Sequence, residues 1–147
     1  MTVTKTALVA DASGETSQTL KDVLHALGYL TIESQDGFRL LDVLRRVRPS
    51  LVVMDLALKG LDGTEVLHFI RRNEDWMDIP VLVYSEQTGP AARRTALQAG
   101  ATAFLEKPVL PQALRAAVAE LLLPGALEGR RLDEDPGGKK NWMISLF

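Results

Sequence analysis

Short, wholly apolar runs alternate along this chain with stretches whose apolar residues recur at helical spacing. Residues 6–10 form such a run, ending at Asp11, and predict a buried strand. Leu20, Val23, Leu24 and Leu27 then recur on one helix face, and Gly28 stands where a helix end accommodates a left-handed residue. Residues 29–34 predict a second strand, with Leu30 and Ile32 alternating. Residues 38–47 predict a second helix with Leu40, Leu41, Leu44 and Val47 on one face, ended before Pro49 because proline disfavours helix in the residue ahead of it. Leu51, Val52, Val53 and Met54 run into Asp55, and after a loop punctuated by Gly60 and Gly63 a helix is predicted over 64–72. A strand over 81–84 ends at Ser85, and a helix over 90–99 is closed by Gly100. A fifth strand over 101–105 leads to Glu106, Lys107 and Pro108, and a fifth helix over 111–123 starts on Pro111, a residue suited to a first turn.

Five strand–helix units within residues 1–123 predict an α/β domain, a doubly wound parallel sheet. Continuous rather than alternating apolar strands fit a sheet covered on both faces. Residues 124–147 differ: Gly125, Gly129, Pro136, Gly137 and Gly138 interrupt any helix, and the stretch reads as a flexible C-terminal tail. It ends in Trp142, Met143, Ile144, Leu146 and Phe147, an apolar end expected either to be disordered, to fold back, or to dock on a partner.

Composition removes whole classes of function. The 147 residues contain no cysteine, which excludes disulfide scaffolds, zinc–thiolate sites and cysteine nucleophiles. The two histidines, His25 and His68, lie on predicted helices and do not make a multi-histidine metal site. The net charge of −2 argues against a general nucleic-acid binder. The N-terminal apolar run is too short for a signal peptide, and no stretch approaches the ~20 apolar residues of a membrane span, so a soluble cytoplasmic domain is expected.

The polar residues fall where chemistry would be placed. In open α/β sheets the binding crevice lies beyond the carboxyl ends of the strands. There this sequence carries Asp11, Asp55, Ser85 and Lys107, from four different strands. Together they form a phosphoryl-transfer inventory: a carboxylate that can accept a phosphoryl group, a second that can help hold Mg²⁺, a hydroxyl donor and an ammonium. Taken singly, either acid could be a cap, Ser85 could satisfy a turn, and Phe104 could be ordinary core. It is the joint placement that carries weight.

At these residues the chain closely resembles the response-regulator receiver family of two-component signalling. The resemblance rests on Leu8-Val9-Ala10-Asp11, on the segment from Val53 through Asp55 to Gly63, on Ile79-Pro80-Val81-Leu82-Val83-Tyr84-Ser85, and on the segment from Ala99 to Pro108 that contains Phe104 and Lys107. It implies a flavodoxin-like (βα)5 sheet of order 2-1-3-4-5. It implies Asp55 as phospho-acceptor from a sensor histidine kinase or phosphotransferase, with Lys107 pairing with the phosphoryl oxygens. It further implies Ser85 and Phe104 as switch residues, Asp11, Asp55 and the backbone carbonyl of Ala57 around Mg²⁺, and a cis bond before Pro108. The protein would be a switch rather than an enzyme, catalysing only its own phosphoryl transfer and loss. With 24 residues after the domain and no helix-turn-helix, output is expected through contact with a downstream protein partner or onward phosphotransfer, without direct DNA binding, and a homodimer could form on the face of helix 4, strand 5 and helix 5; Arg93 and Arg94 lie on helix 4.

Two positions depart from the family pattern. Ala12 stands where relatives carry a second acid, which is expected to weaken Mg²⁺ binding; Glu15 is the candidate replacement. Lys59 replaces a usual proline, adding positive charge beside the pocket and, as expected from the lost ring, loosening the loop. The alternatives are a phosphorylation-independent binding module of the same family, an Asp-nucleophile hydrolase, which would want a second Asp where Ala57 stands, and a flavodoxin-like cofactor binder using residues 11–17.

Overall fold

A computed structural model describes residues 5–12, 14–87 and 89–121, with only the backbone of residues 14–17. The strands are β1 (Lys5–Ala10), β2 (Tyr29–Ser34), β3 (Leu51–Met54), β4 (Val81–Ser85) and β5 (Ala103–Glu106). The helices are α1 (Gly14–Ala26), α2 (Gly37–Arg46), α3 (Gly63–Arg72), α4 (Pro90–Ala99) and α5 (Pro111–Leu121). All strands are parallel, in the order β2-β1-β3-β4-β5, the expected flavodoxin-like topology. Among the described residues no helix is long and apolar enough to cross a membrane. The expected tail and its apolar end lie outside the described residues, as does the Glu15 side chain.

Burial follows position in the sheet. Every residue of β3 and β4 is buried, as are residues 7–10 of β1, because helices cover both faces of these strands. α1 packs against α5, while α2, α3 and α4 adjoin in turn. Leu8, Leu24, Leu51, Leu67, Ile70, Leu82, Phe104 and Leu105 are at most 1% exposed, and each such side chain contributes roughly 1.5–3 kcal/mol through removal from water. β2, one of the two edge strands, departs from expectation. Leu30, read as one of its two alternating apolar residues, is 57% exposed, and the residues it buries are Tyr29 and Ser34.

The other difference is the start of the fifth strand, expected at residue 101 and found at Ala103. Ala101 and Thr102 are used by a junction at the opposite sheet edge from the strand-end acids. The amides of Ala101 and Thr102 donate to Ala96 O and Val81 O, and Thr102 Oγ1 accepts from the Val81 amide at 3.0 Å. The same oxygen accepts from Arg71 Nη2 at 3.1 Å, while Arg71 Nε donates to Gly100 O and Nη1 to Met77 O and Ile79 O. One guanidinium thus joins the end of α3, the following turn and the start of the β5 segment.

Candidate functional site

Strand register brings the two acids together. Ala10 is paired with Met54, so Asp11 and Asp55 are the next residues of adjacent strands. Both backbones stay in the ladder: the Asp55 amide donates to Ala10 O at 2.9 Å and the Asp11 amide to Ser34 O at 3.0 Å. Lys107 arrives the same way, its amide donating to Ser85 O at 2.9 Å one residue beyond β5, ahead of a cis bond to Pro108.

From there Lys107 Nζ donates to Asp11 Oδ2 at 3.0 Å and to Asp55 Oδ2 at 2.9 Å. The three side chains are only 3–9% exposed, so these are charge-assisted bonds largely shielded from water. Burial alone would pull the ammonium below its ordinary value; hydrogen bonds and charge from Asp55 and Asp11 outweigh it, and the Lys107 pKa is raised. Two carboxyl groups thus share one ammonium. Asp55 Oδ1 accepts the Ala57 amide at 3.1 Å, which fixes the carboxylate to the loop that follows it.

The remaining expected residues are placed differently. Ser85 is fully buried at the end of β4, but its hydroxyl accepts the Gln87 amide at 3.1 Å, within its own loop. Phe104 is 1% exposed, paired in register with Val83. Ala57 is exposed and meets Asp55 through its amide. His25 and His68 are exposed, on α1 and α3.

The expectation that Lys59 loosens the acceptor loop is overturned. Lys59 N–H donates to Gln35 O at 3.2 Å, a bond proline could not make, and Lys59 O accepts from Gly37 N at 2.9 Å. The loop after β3 is tied to the loop after β2 by backbone bonds in place of a ring. It closes tightly onto α3: a methyl group on Gly63 would lie 2.6 Å from Leu56 Cα.

Magnesium takes hard oxygen ligands and is commonly held by one or two carboxylates, with water and phosphate completing the shell. The two buried carboxylates of Asp11 and Asp55 fit that chemistry. Ala12 adds no oxygen from its side chain, and no cluster of three metal-binding side chains occurs among the described residues.

Two neighbours lie within the resembling segments, but the sequence assigns them no role. Tyr84 lies with its ring centroid 5.4 Å from Lys107 Nζ. Glu106 Oε2 accepts the amide of Gly89, the N-cap of α4, a helix without a side-chain cap of its own. The register that pairs β4 with β5 brings both into place.

Comparison with known proteins places this arrangement. The family described as response regulator receiver domain matches residues 7–119. The chain is 34% identical over 130 residues to the response regulator MprA of Mycobacterium sp. (strain KMS), covering 88% of this chain and 53% of that protein. It is 33% identical over 117 residues to an uncharacterized 76.5 kDa protein of Thiocystis violacea, covering 80% of this chain and 17% of that one. Thus it spans about half or less of the length of these two relatives. Among solved structures, a putative response regulator from Chloroflexus aurantiacus superposes with a TM-score of 0.77 at 27% identity, covering 82% of this chain and 98% of that one. The chemotaxis response regulator CheY4 of Vibrio cholerae gives a TM-score of 0.76 at 23% identity, covering 82% and 100%.

Proposed function

This chain belongs to the response-regulator receiver family, and from that premise we propose that it is a phosphorylation-dependent signalling switch whose acceptor is Asp55. Receiver domains are signalling modules of two-component systems rather than typical enzymes, and they generally bind Mg²⁺ for phosphorylation. The observation that carries the reading is the buried bridge from Lys107 Nζ to both strand-end acids. An Asp55 oxygen attacks the phosphorus of a phosphohistidine on a sensor kinase or phosphotransferase. The new O–P bond forms as the N–P bond breaks and the imidazole leaves with its electron pair. Lys107, already at Asp55 Oδ2, offsets charge on the phosphoryl oxygens. Mg²⁺, when held by Asp11, Asp55 and the Ala57 carbonyl, supplies further neutralisation of phosphate charge.

Ser85 then turns from the Gln87 amide toward the phosphoryl group, Phe104 follows inward, and the face of α4, β5 and α5 changes for a downstream protein or a second copy. The domain acts in the cytoplasm without contacting DNA itself. Because Ala12 takes the place of an acid, Mg²⁺ is held weakly. That same substitution supports a second reading, a binding module that works unphosphorylated.

Incubation with acetyl phosphate and Mg²⁺, read by intact mass, decides between them. A phosphoryl adduct absent in Asp55→Asn supports the switch. No adduct from acetyl phosphate or from a kinase supports the unphosphorylated module. Ala12→Asp should tighten Mg²⁺ binding by about tenfold or more; unchanged affinity would mean that the metal does not sit beside residue 12.

A further inference from the structure

The Lys107 ammonium has three N–H donors, and the two acids take two of them. Among the described residues the ring of Tyr84 faces it as well. Register explains why. Tyr84 pairs with Leu105, and the bond from Lys107 N to Ser85 O carries the ladder past β5, so Lys107 follows Leu105 by two residues on the same side of the sheet. Nζ lies 5.4 Å from the ring centroid, inside the ~6 Å at which a cation is drawn to an aromatic face. Tyr84 is 4% exposed and the Lys107 side chain 6%, so little water competes with the contact.

We propose that Tyr84 is a positioning residue, holding Lys107 Nζ level with Asp11 and Asp55 through its ring face rather than its hydroxyl. The carboxylates draw the ammonium toward β1 and β3, whereas the ring holds it from β4. Such a contact matters most when Asp55 carries a phosphoryl group, because one of the two opposing anions then changes shape and charge. This last step rests on Asp55 being the phosphoryl acceptor; the placement of Lys107 by Tyr84 does not.

The test compares Tyr84→Phe, which keeps the ring, with Tyr84→Leu, which removes it, in the full chain and after circular dichroism has shown each to be folded. Tyr84→Met serves as the apolar variant if the leucine form does not fold. The first readout is the proton NMR shift of the Lys107 Cε methylene, moved upfield by a ring beneath it. The second is the rate of adduct formation from acetyl phosphate. The phenylalanine variant should keep the upfield shift and stay within about twofold of the parent rate. The apolar variant should lose the shift and react about tenfold more slowly, equivalent to about 1.4 kcal/mol, within the range of a desolvated cation–ring contact. An unchanged Lys107 shift in the apolar variant, or a phenylalanine variant as impaired as the apolar one, overturns the proposal. If the parent protein forms no adduct, the phosphorylation reading fails while the NMR shift still decides the role of Tyr84.

Discussion

Replacing Lys107 by methionine keeps most of the apolar stem and removes the ammonium that bridges the buried acids Asp11 and Asp55. Both Oδ2 atoms lie about 3 Å from the same nitrogen, so they are no more than about 6 Å apart. At an effective dielectric of about 20, like charges at that separation repel by about 3 kcal/mol. Breaking a buried ion pair from one side typically costs about 3–5 kcal/mol. The two figures agree, and Lys107→Met should lose about 3–5 kcal/mol in urea unfolding at neutral pH, or roughly 10–20 °C in Tm for a domain of this size. Adding Asp11→Asn removes the repulsion and should recover about 3 kcal/mol of that loss. The double variant therefore separates electrostatics from packing. A Lys107→Met variant within 1 kcal/mol of the parent, or one that Asp11→Asn does not rescue, would refute the reasoning that this cluster is held together by its ammonium.

Further measurements probe the scaffold. Arg71→Ala removes a donor from four acceptors on two stretches, 77–79 and 100–102, and should cost about 3–5 kcal/mol in urea unfolding; Arg71→Lys should recover little, because an ammonium cannot reproduce the planar fork. Gly63→Ala drives a methyl group into the Leu56 backbone and should lower stability by at least about 2 kcal/mol in the same assay. A fully stable alanine variant would show that the loop yields freely. On the alkaline side, the raised Lys107 pKa means that the folded protein keeps a proton which the unfolded chain gives up near 10.4. The stabilisation is complete below that pH and is lost as pH rises through the folded value, with the burial-raised Tyr29 phenol adding to the same slope. Urea midpoints measured from pH 9 to 11.5 should fall for the parent and fall less steeply for Lys107→Met.

Much of the architecture is legible because parallel strands buried on both faces must be continuously apolar. Tyr29–Ser34, Leu51–Met54 and Pro90–Ala99 stand at the boundaries the sequence predicts. Failures occur where tertiary contacts override local pattern. Leu30 faces solvent on the edge strand β2, although Leu105 on the other edge strand, β5, is buried, so exposure at an edge is set by what packs there and not by the strand's own pattern. β5 starts late because Arg71 and Val81 claim Thr102. That Asp11, Asp55 and Lys107 share one sheet edge follows from where the apolar runs stop. That one nitrogen bonds both acids is a matter of distance, which no linear pattern contains. The Ser85 hydroxyl, Tyr84 and Glu106 illustrate the same limit: their partners come from loop closure and strand register. Lys59 misleads for a related reason, since a missing proline ring signals looseness while the amide gained in its place makes the tie.

The ammonium that neutralises Asp11 is 96 residues away along the chain, and the one for Asp55 is 52 residues away, although both are the same group. The carboxyl ends of β1 and β3 therefore gain this bridge only when the segment after β5 is in place, so a contact between two neighbouring strands is made by a residue that reaches them from the far side of the sheet.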